Sequence, residues 1–301
     1  MDKTNNFKSG FVAMIGRPNA GKSTLLNCLV GEKIAAVSNK PQTTRIKIKG
    51  IVSRPEGQIV FLDTPGVHKP GYLLNRRMMA AVEDSVSNSD IVMLVRDASV
   101  STGNGDRFVL ESVKSSGKKS ILVLNKIDKI SNKNELLPLI EFYSKNHDFA
   151  EIVPISAKKG ESMNLLVDLI LKHLPEGEPL FDEDEITDLS MRTIAAEIVR
   201  EKILASTGEE IPFATAVVVD KWDEGESGIV EIYCQILVEK NSQKPIIIGR
   251  GGQRLKEVGT LARLDLEKLL DKHVKLHLFV KVEENWRNKE KKLDELGVIA
   301  G

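Results

Sequence analysis

The segment GRPNAGKST, residues 16–24, constrains the fold more than any other part of the chain. Its first eight residues fit the pattern G-x-x-x-x-G-K-[ST], which needs a strand before it and a helix after it. The apolar run 11–15 predicts that strand, and residues 22–29 begin a predicted helix. Glycines let consecutive backbone N–H groups surround a phosphate, and the helix N-terminus adds partial positive charge. The loop residues assigned to phosphate binding are Gly16, Arg17, Pro18, Asn19, Ala20, Gly21, Lys22, Ser23 and Thr24, with Lys22 as a full charge and Ser23 as a Mg²⁺ ligand.

Short apolar runs alternate with helical patterns through the first 174 residues. The continuous runs at 91–95 and 121–124 are typical of strands covered on both faces. Further strands are predicted at 46–52, which alternates as a half-exposed strand, and at 58–62 and 151–155. This alternation predicts an α/β fold with a mostly parallel six-stranded sheet and helices on both faces.

The pattern changes after Leu174, where the segment PEGEP breaks the chain and the acidic segment FDEDE follows. We interpret the acidic segment as a solvated linker. Beyond it we predict a helix at 187–206, strands at 213–222 and 228–239, a helix at 255–273 and a strand at 274–282. The predicted organisation is therefore a first domain over residues 1–178, a linker over 179–188 and a smaller α+β domain over 189–301.

Composition excludes several classes of protein. The 301 residues suffice for two cores, and 41% hydrophobic with 29% charged residues is an ordinary globular balance. The formal net charge is +0, so any polyanion-binding surface must be local. Two distant cysteines and scattered histidines show no disulfide or zinc spacing, and neither a signal peptide nor an apolar stretch of about 20 residues is present. We expect a soluble cytoplasmic protein.

Three further motifs stand at the ends of predicted strands: DTPG at 63–66, NKID at 125–128 and SAK at 156–158. A carboxylate at such a strand end can accept hydrogen bonds from guanine N1–H and from the exocyclic amine, whereas adenine presents the opposite pattern. Asp128 therefore predicts selection of guanine, and the domain is predicted to bind GTP. The residues assigned to the guanine site are Asn125, Lys126, Asp128, Ser156, Ala157 and Lys158.

Two segments are placed to respond to the γ-phosphate. A threonine in KPQTTR, residues 40–45, can reach Mg²⁺ and that phosphate only while the phosphate is present. We expect Thr44 to be the ligand, with Thr43 as the alternative, and a plain polar loop is the competing reading. The first switch comprises Gln42, Thr43, Thr44 and Arg45, and the second comprises Asp63, Thr64, Pro65, Gly66 and Val67, with Asp63 on the metal side.

A second glycine-rich loop, GRGG at 249–252, has G-x-x-G spacing between three isoleucines and a predicted amphipathic helix. Side chains at these glycines would hold a sugar-phosphate chain away, while Arg250 and the helix N-terminus attract it. Five basic residues and no acidic one lie between 240 and 256, which favours RNA binding over a simple tight turn. The residues assigned to single-stranded RNA are Gly249, Arg250, Gly251, Gly252, Arg254 and Lys256.

The set GRPNAGKST, PQTTR, DTPG, NKID and SAK resembles the Era-type branch of small GTPases, and the second half resembles a type II KH domain. The resemblance covers nearly the whole chain. It implies GTP hydrolysis to GDP with Mg²⁺, binding near the 3′ end of 16S ribosomal RNA, and a role in assembly of the 30S subunit. It also implies peripheral contact with the inner face of the cell membrane, and we expect a monomer.

In that family an apolar residue replaces the water-orienting glutamine after DTPG. The residue here is Val67, so slow intrinsic turnover is expected. The resemblance further implies that Asn19 could hold a potassium ion beside the phosphates, although Asn19 could instead only shape the turn.

Three alternative functions compete with this prediction. An RNA-binding module with a merely structural nucleotide domain would show no GTP turnover that depends on Lys22. A tRNA-modifying or tandem-domain GTPase would carry a catalytic cysteine or a second phosphate loop, and the sequence has neither. A P-loop kinase is disfavoured by the NKID motif.

Overall fold

The computed structural model describes residues 7–40, 42–66, 71–208, 211–225 and 228–298. Its first half contains a six-stranded sheet in the order β2-β3-β1-β4-β5-β6, in which only β2 pairs antiparallel. The strands are β1 (Lys8–Ile15), β2 (Ile48–Arg54), β3 (Gly57–Asp63), β4 (Ile91–Asp97), β5 (Lys119–Asn125) and β6 (Glu151–Pro154). The predicted α/β fold with six strands is confirmed.

In the part of the chain that the structure describes, five helices flank this sheet, as its two buried faces require. They are α1 (Lys22–Val30), α2 (Leu73–Ser87), α3 (Asn104–Ser116), α4 (Leu136–Asn146) and α5 (Met163–His173). Helices α1 and α5 bury leucines such as Leu25 and Leu166 against one face, and α3 and α4 bury Val109 and Tyr143 against the other. Because the strands are parallel, the loops that follow β1, β3, β4 and β5 meet at one edge, where binding sites form in such sheets.

The second half is a three-stranded sheet, in the order β7-β8-β9, covered by helices. Its elements are α6 (Met191–Ser206), α7 (Ile211–Ala214), β7 (Ala216–Glu224), β8 (Val230–Val238), α8 (Lys244–Ile248), α9 (Gln253–Leu270), β9 (Val274–Val282) and α10 (Glu290–Glu295). Strand β8 pairs antiparallel with β7 and parallel with β9. Helices α6 and α9 bury Ile198 and Val258 against the sheet, which gives this half a core of its own.

Several element boundaries differ from the predictions, and three of them are described here. Helix α6 begins at Met191, because the hydroxyl of Ser190 accepts a hydrogen bond from the Thr193 backbone N–H and caps the helix there. The predicted strand at 213–222 begins at Ala216, since Phe213 belongs to the short helix α7. Strand β2 spans Ile48–Arg54 and is therefore shifted by two residues.

The acidic segment between the halves is attached to the first sheet and does not run free through solvent. The Gln58 amide side chain bonds the backbone of Phe181 in both directions, at 2.9 Å each. Further along, Ile51 donates to the carbonyl of Ile186 at 2.9 Å. The carboxylates of residues 182–184 are nevertheless exposed, as the predicted linker requires.

Within the described residues, none of the helices combines the length and apolar character needed to cross a bilayer.

Candidate nucleotide site and RNA-binding turn

The phosphate loop connects β1 to α1 through backbone conformations that favour glycine and asparagine. Gly21 has φ 94° and Asn19 has φ 65°, and both lie in the left-handed region. A Cβ at Gly16 would lie 2.4 Å from the carbonyl oxygen of Val95, so a larger residue cannot occupy that position. The Nζ of Lys22 lies 3.5 Å from the Gly16 carbonyl, which places its ammonium over the loop. Burial lowers the pKa of Lys22, and nearby Asp63 opposes that shift. An anionic phosphate in the loop would hold the ammonium in its charged form.

Three oxygen-bearing side chains from three segments converge beside Lys22. The Oγ of Ser23 lies 2.8 Å from Asp63 Oδ2 and 2.8 Å from Thr44 Oγ1. The other carboxylate oxygen, Asp63 Oδ1, is buried and has no hydrogen-bond partner in the described part of the chain. Burial raises the pKa of Asp63, against the influence of Lys22. A hard cation with oxygen ligands would stabilise the carboxylate, so these side chains fit Mg²⁺.

The geometry separates the two threonines of the first switch. Thr43 turns away and donates its hydroxyl to the Lys40 carbonyl at 2.6 Å. Thr44, by contrast, faces Ser23 and the carboxylate of Asp63. The arrangement favours Thr44 as the metal ligand.

The second switch begins at the end of β3. Thr64 is buried and donates its hydroxyl to the Met14 carbonyl at 2.9 Å, which joins this segment to β1. Pro65 follows, and a Cβ at Gly66 would lie 3.1 Å from Cγ of Pro18. The segment therefore touches the phosphate loop. Val67 lies outside the described residues, so its predicted role stays a prediction.

Asn125 joins three of the predicted motifs. Its amide nitrogen donates to the Ala20 carbonyl at 3.0 Å. Its amide oxygen accepts from the backbone N–H groups of Lys126 and Ala157, at 2.7 Å and 3.1 Å. One buried side chain thus fixes the phosphate loop, NKID and SAK relative to each other.

The predicted guanine-recognising carboxylate lies at the edge of this assembly. Asp128 accepts a hydrogen bond from the Ser156 hydroxyl at 2.6 Å, and that bond is the main reason why the pKa of Asp128 is lowered. The Nζ of Lys126 donates to Asp97 Oδ2 at 2.7 Å. Asp97 was not identified from the sequence, although it ends β4 at the same sheet edge, and this position was the signal that could have found it. Lys158 is exposed beside these residues.

Arg45 of the first switch points away from the loop and into the second half of the chain. Its guanidinium donates to the carbonyls of Thr215 at 2.7 Å and Pro212 at 2.5 Å, and it lies 5.4 Å from the ring centroid of Trp286. Burial is the main reason why the pKa of Arg45 falls to about 9. This contact spans about 170 residues of sequence, and local pattern could not predict it. A second residue that the sequence did not identify, Arg200, bonds the same switch from α6.

The second glycine-rich loop is an open turn before α9. Gly249, Gly251 and Gly252 all have positive φ, at 75°, 57° and 80°. A Cβ at either of the last two would meet no atom within 4 Å, so the turn is accessible to a ligand. A Cβ at Gly249 would lie 2.7 Å from Cβ of Arg254.

The basic residues of the turn divide into two groups. Arg250 and Lys256 are exposed. Arg254 instead donates to the Ile246 carbonyl, which links the start of α9 to the segment before the turn. We therefore expect Arg250 and Lys256 to reach phosphate more readily than Arg254.

Family comparisons assign the two halves separately. Residues 11–126 match a family described as 50S ribosome-binding GTPase, and residues 210–287 match the KH domain. The GTPase Era of Trichlorobacter lovleyi is 48% identical over 291 residues, covering 97% of this chain and 98% of that protein. The GTPase Era of Syntrophus aciditrophicus is 49% identical over 292 residues, covering 97% and 95%.

Two solved structures share the whole architecture. A point variant of Aquifex aeolicus Era bound to GDP·AlF4⁻ is 43% identical, with a TM-score of 0.93 and coverage of 97% of this chain and 99% of that one. An Era structure in complex with MgGDPNP and nucleotides 1506–1542 of 16S ribosomal RNA is 44% identical, with the same TM-score and coverage. This chain therefore belongs to the GTPase Era family, in which a P-loop GTPase domain is followed by a KH domain.

Proposed function

We propose that this protein is a GTP-hydrolysing switch that binds single-stranded RNA near the 3′ end of 16S ribosomal RNA and acts in assembly of the small ribosomal subunit. One observation carries the proposal: adjacent residues of the first switch face different domains. Thr44 joins the oxygen cluster of the nucleotide site, and Arg45 is bonded within the KH domain. The relative with MgGDPNP and a 16S rRNA fragment supports it, because that protein holds both ligands on the same architecture.

In the proposed hydrolysis, the chain's own residues hold and neutralise the triphosphate. Backbone N–H groups of the loop surround the phosphates, and Lys22 places its ammonium among them. Ser23, Thr44 and the ionised carboxylate of Asp63 would hold Mg²⁺, which supplies charge stabilisation at the β- and γ-phosphates when bound. Catalysis would then depend on charge neutralisation and positioning.

A potassium ion is proposed as a second cation beside the phosphates. The amide nitrogen of Asn19 donates to the Asn39 carbonyl at 2.7 Å, which links the phosphate loop to the segment before the first switch. Because the nitrogen makes this bond, the amide oxygen is the atom that a cation would use. Potassium would add positive charge where negative charge develops during phosphate transfer.

The RNA site is proposed at the turn formed by residues 249–252. KH domains clamp about four single-stranded nucleotides with a G-x-x-G loop, and the open faces of Gly251 and Gly252 permit that approach. Arg250 and Lys256 would contact phosphates. Four further properties remain predictions from the family resemblance: a cytoplasmic location, a monomeric state, action at the 30S subunit and peripheral contact with the membrane.

Crosslinking in cells followed by sequencing of the bound RNA tests this proposal. The wild-type chain should recover the 3′ end of 16S rRNA, and Gly251→Asp should lose that signal because a carboxylate repels phosphate. Gly251→Asn is the matched control, since asparagine has the same shape, tolerates positive φ and carries no charge. An unchanged signal in Gly251→Asp, or recovery of unrelated RNA by the wild type, would contradict the proposal.

GTP turnover by purified Gly251→Asp and Lys22→Ala tests the proposed hydrolysis. Gly251→Asp should retain turnover, whereas Lys22→Ala should lose it. Turnover that survives in Lys22→Ala would leave the chain as an RNA-binding module with a structural nucleotide domain.

A further inference from the structure

Helix α6 of the KH domain bonds directly to the backbone of the first switch. The guanidinium of Arg200 donates to the Gln42 carbonyl at 3.1 Å and also to the Thr43 carbonyl. These are the two carbonyls immediately before Thr44. Arg200 is 2% exposed, so the contact is sequestered from solvent.

The backbone that Arg200 holds is in an uncommon conformation. Gln42 has φ 57°, which is rare for a residue with a side chain and persists only where the surroundings enforce it. The hydrogen bonds from Arg200 to the carbonyls of Gln42 and Thr43 hold this backbone in place, and they come from outside the GTPase domain. They lie one peptide unit from Thr44, whose hydroxyl is 2.8 Å from Ser23 Oγ.

Arg200 is itself fixed in place before it reaches the switch. Its Nε donates to Glu197 Oε1 at 2.8 Å, one helical turn earlier, and a second nitrogen contacts Oε2 of the same carboxylate at 2.5 Å. A bidentate contact of this kind defines the orientation of a guanidinium as well as its position. The guanidinium therefore meets the switch carbonyls in a predetermined geometry.

The neighbouring residue of α6 holds the other end of the same segment. Glu201 accepts a hydrogen bond from the Val37 backbone N–H at 2.8 Å and pairs with Lys33 at 2.7 Å. Consecutive residues of one helix thus bond the chain at Val37 and at Gln42. This arrangement spans the segment that leads into Thr44.

We propose that Arg200 is a positioning residue for GTP hydrolysis, acting through the carbonyls of Gln42 and Thr43 to set the Thr44 hydroxyl beside Ser23. The proposal rests on the proposed role of Thr44 as a Mg²⁺ ligand. It makes the catalytic arrangement of the GTPase domain depend on a side chain from the RNA-binding domain.

The proposal distinguishes GDP from GTP. GDP lacks the γ-phosphate, so its binding relies on the loop and the base site and not on Thr44. Removing Arg200 should therefore leave GDP affinity unchanged. It should weaken a non-hydrolysable GTP analogue, raise the Mg²⁺ concentration needed to bind that analogue, and reduce kcat by about tenfold with a smaller change in KM.

The experiment compares the full-length wild type with Arg200→Ala and Arg200→Lys. Single-turnover GTP hydrolysis, GDP affinity and analogue affinity are measured across a Mg²⁺ titration. Arg192→Ala is the matched control, because Arg192 is an exposed arginine on the same helix. Arg200→Lys should fall between Arg200→Ala and the wild type, since an ammonium keeps the charge but lacks the fork that meets two carbonyls.

Wild-type kcat in Arg200→Ala would overturn the inference. If Arg200→Ala also loses GDP affinity, the result for Arg200→Lys decides. A reduced kcat with wild-type GDP affinity in Arg200→Lys supports the inference. Wild-type kcat, or equal loss of GDP and analogue affinity, in that variant overturns it. Failure of the wild type to hydrolyse GTP would instead refute the proposed function and is a separate outcome.

Discussion

Replacing Asp128 with asparagine should change which purine nucleotide the protein binds. The carboxylate is placed to accept hydrogen bonds from guanine N1–H and from the exocyclic amine. It also accepts the Ser156 hydroxyl at 2.6 Å, which its four lone-pair sites allow. The same bond lowers the pKa of Asp128. Guanine affinity should therefore survive mild acid and be lost only as the pH falls through that lowered pKa.

The magnitude follows from the number and type of bonds lost. A hydrogen bond to a charged group contributes about 1.5–3 kcal/mol, so two such bonds represent about 3–6 kcal/mol. Asp128 is half-buried, and solvent reduces its contribution, which places the expected loss near the lower limit. We expect GDP affinity to fall by about 10²–10³-fold, since each 1.4 kcal/mol is a factor of about ten. Xanthine carries a carbonyl where guanine carries the amine, and an asparagine amide can donate to that carbonyl.

The assay is equilibrium binding of fluorescent GDP and xanthosine diphosphate to wild type and Asp128→Asn. The variant should lose GDP affinity and gain affinity for xanthosine diphosphate. Asp148→Asn, an exposed carboxylate of the same domain, should bind both nucleotides like the wild type. Unchanged GDP affinity in Asp128→Asn would refute the assignment of this carboxylate to the guanine edge.

Three further outcomes are expected. Turnover should be faster in K⁺ than in Na⁺ at equal ionic strength and lose that difference in Asn19→Ala, and equal rates in both salts for the wild type would remove the proposed cation. Trp286→Ala should destabilise the protein by roughly 3–5 kcal/mol in urea unfolding, because the ring is fully buried and its Nε1 donates to the Ala214 carbonyl at 3.0 Å; an unchanged unfolding midpoint would contradict this packing. Burial raises the pKa of Cys234 to about 12, so mass spectrometry after alkylation at pH 8 should find the half-buried Cys28 labelled first, and equal labelling rates would contradict the structure.

Motifs at three strand ends could be located from the sequence. Parallel strands deliver their carboxyl ends to one edge, so the sequence alone places DTPG, NKID and SAK together. The same rule would have found Asp97, which was missed. The sequence gives no comparable signal for Arg200. Its partners lie more than 150 residues earlier in the chain, and they are backbone carbonyls, which every residue type carries.

Element boundaries were predicted less well for local reasons. The cap at Ser190 and the short helix that contains Phe213 depend on hydrogen bonds and packing that an apolar pattern does not record. The glycine-rich turn was predicted as a loop that a sugar-phosphate chain can approach closely, and the space beside Gly251 and Gly252 fits that prediction. Which of its arginines faces outward depended on the bond between Arg254 and Ile246.

The affinity for a 3′-end 16S rRNA oligonucleotide, measured with GDP and with a non-hydrolysable GTP analogue, tests the central claim most directly. Ionic strength must be fixed, since phosphate contacts make RNA affinity strongly salt-dependent. Because the segment 42–45 contacts both the nucleotide site and the KH domain, we predict that the two nucleotides give dissociation constants that differ by about fivefold or more. Equal dissociation constants would contradict coupling between the two domains.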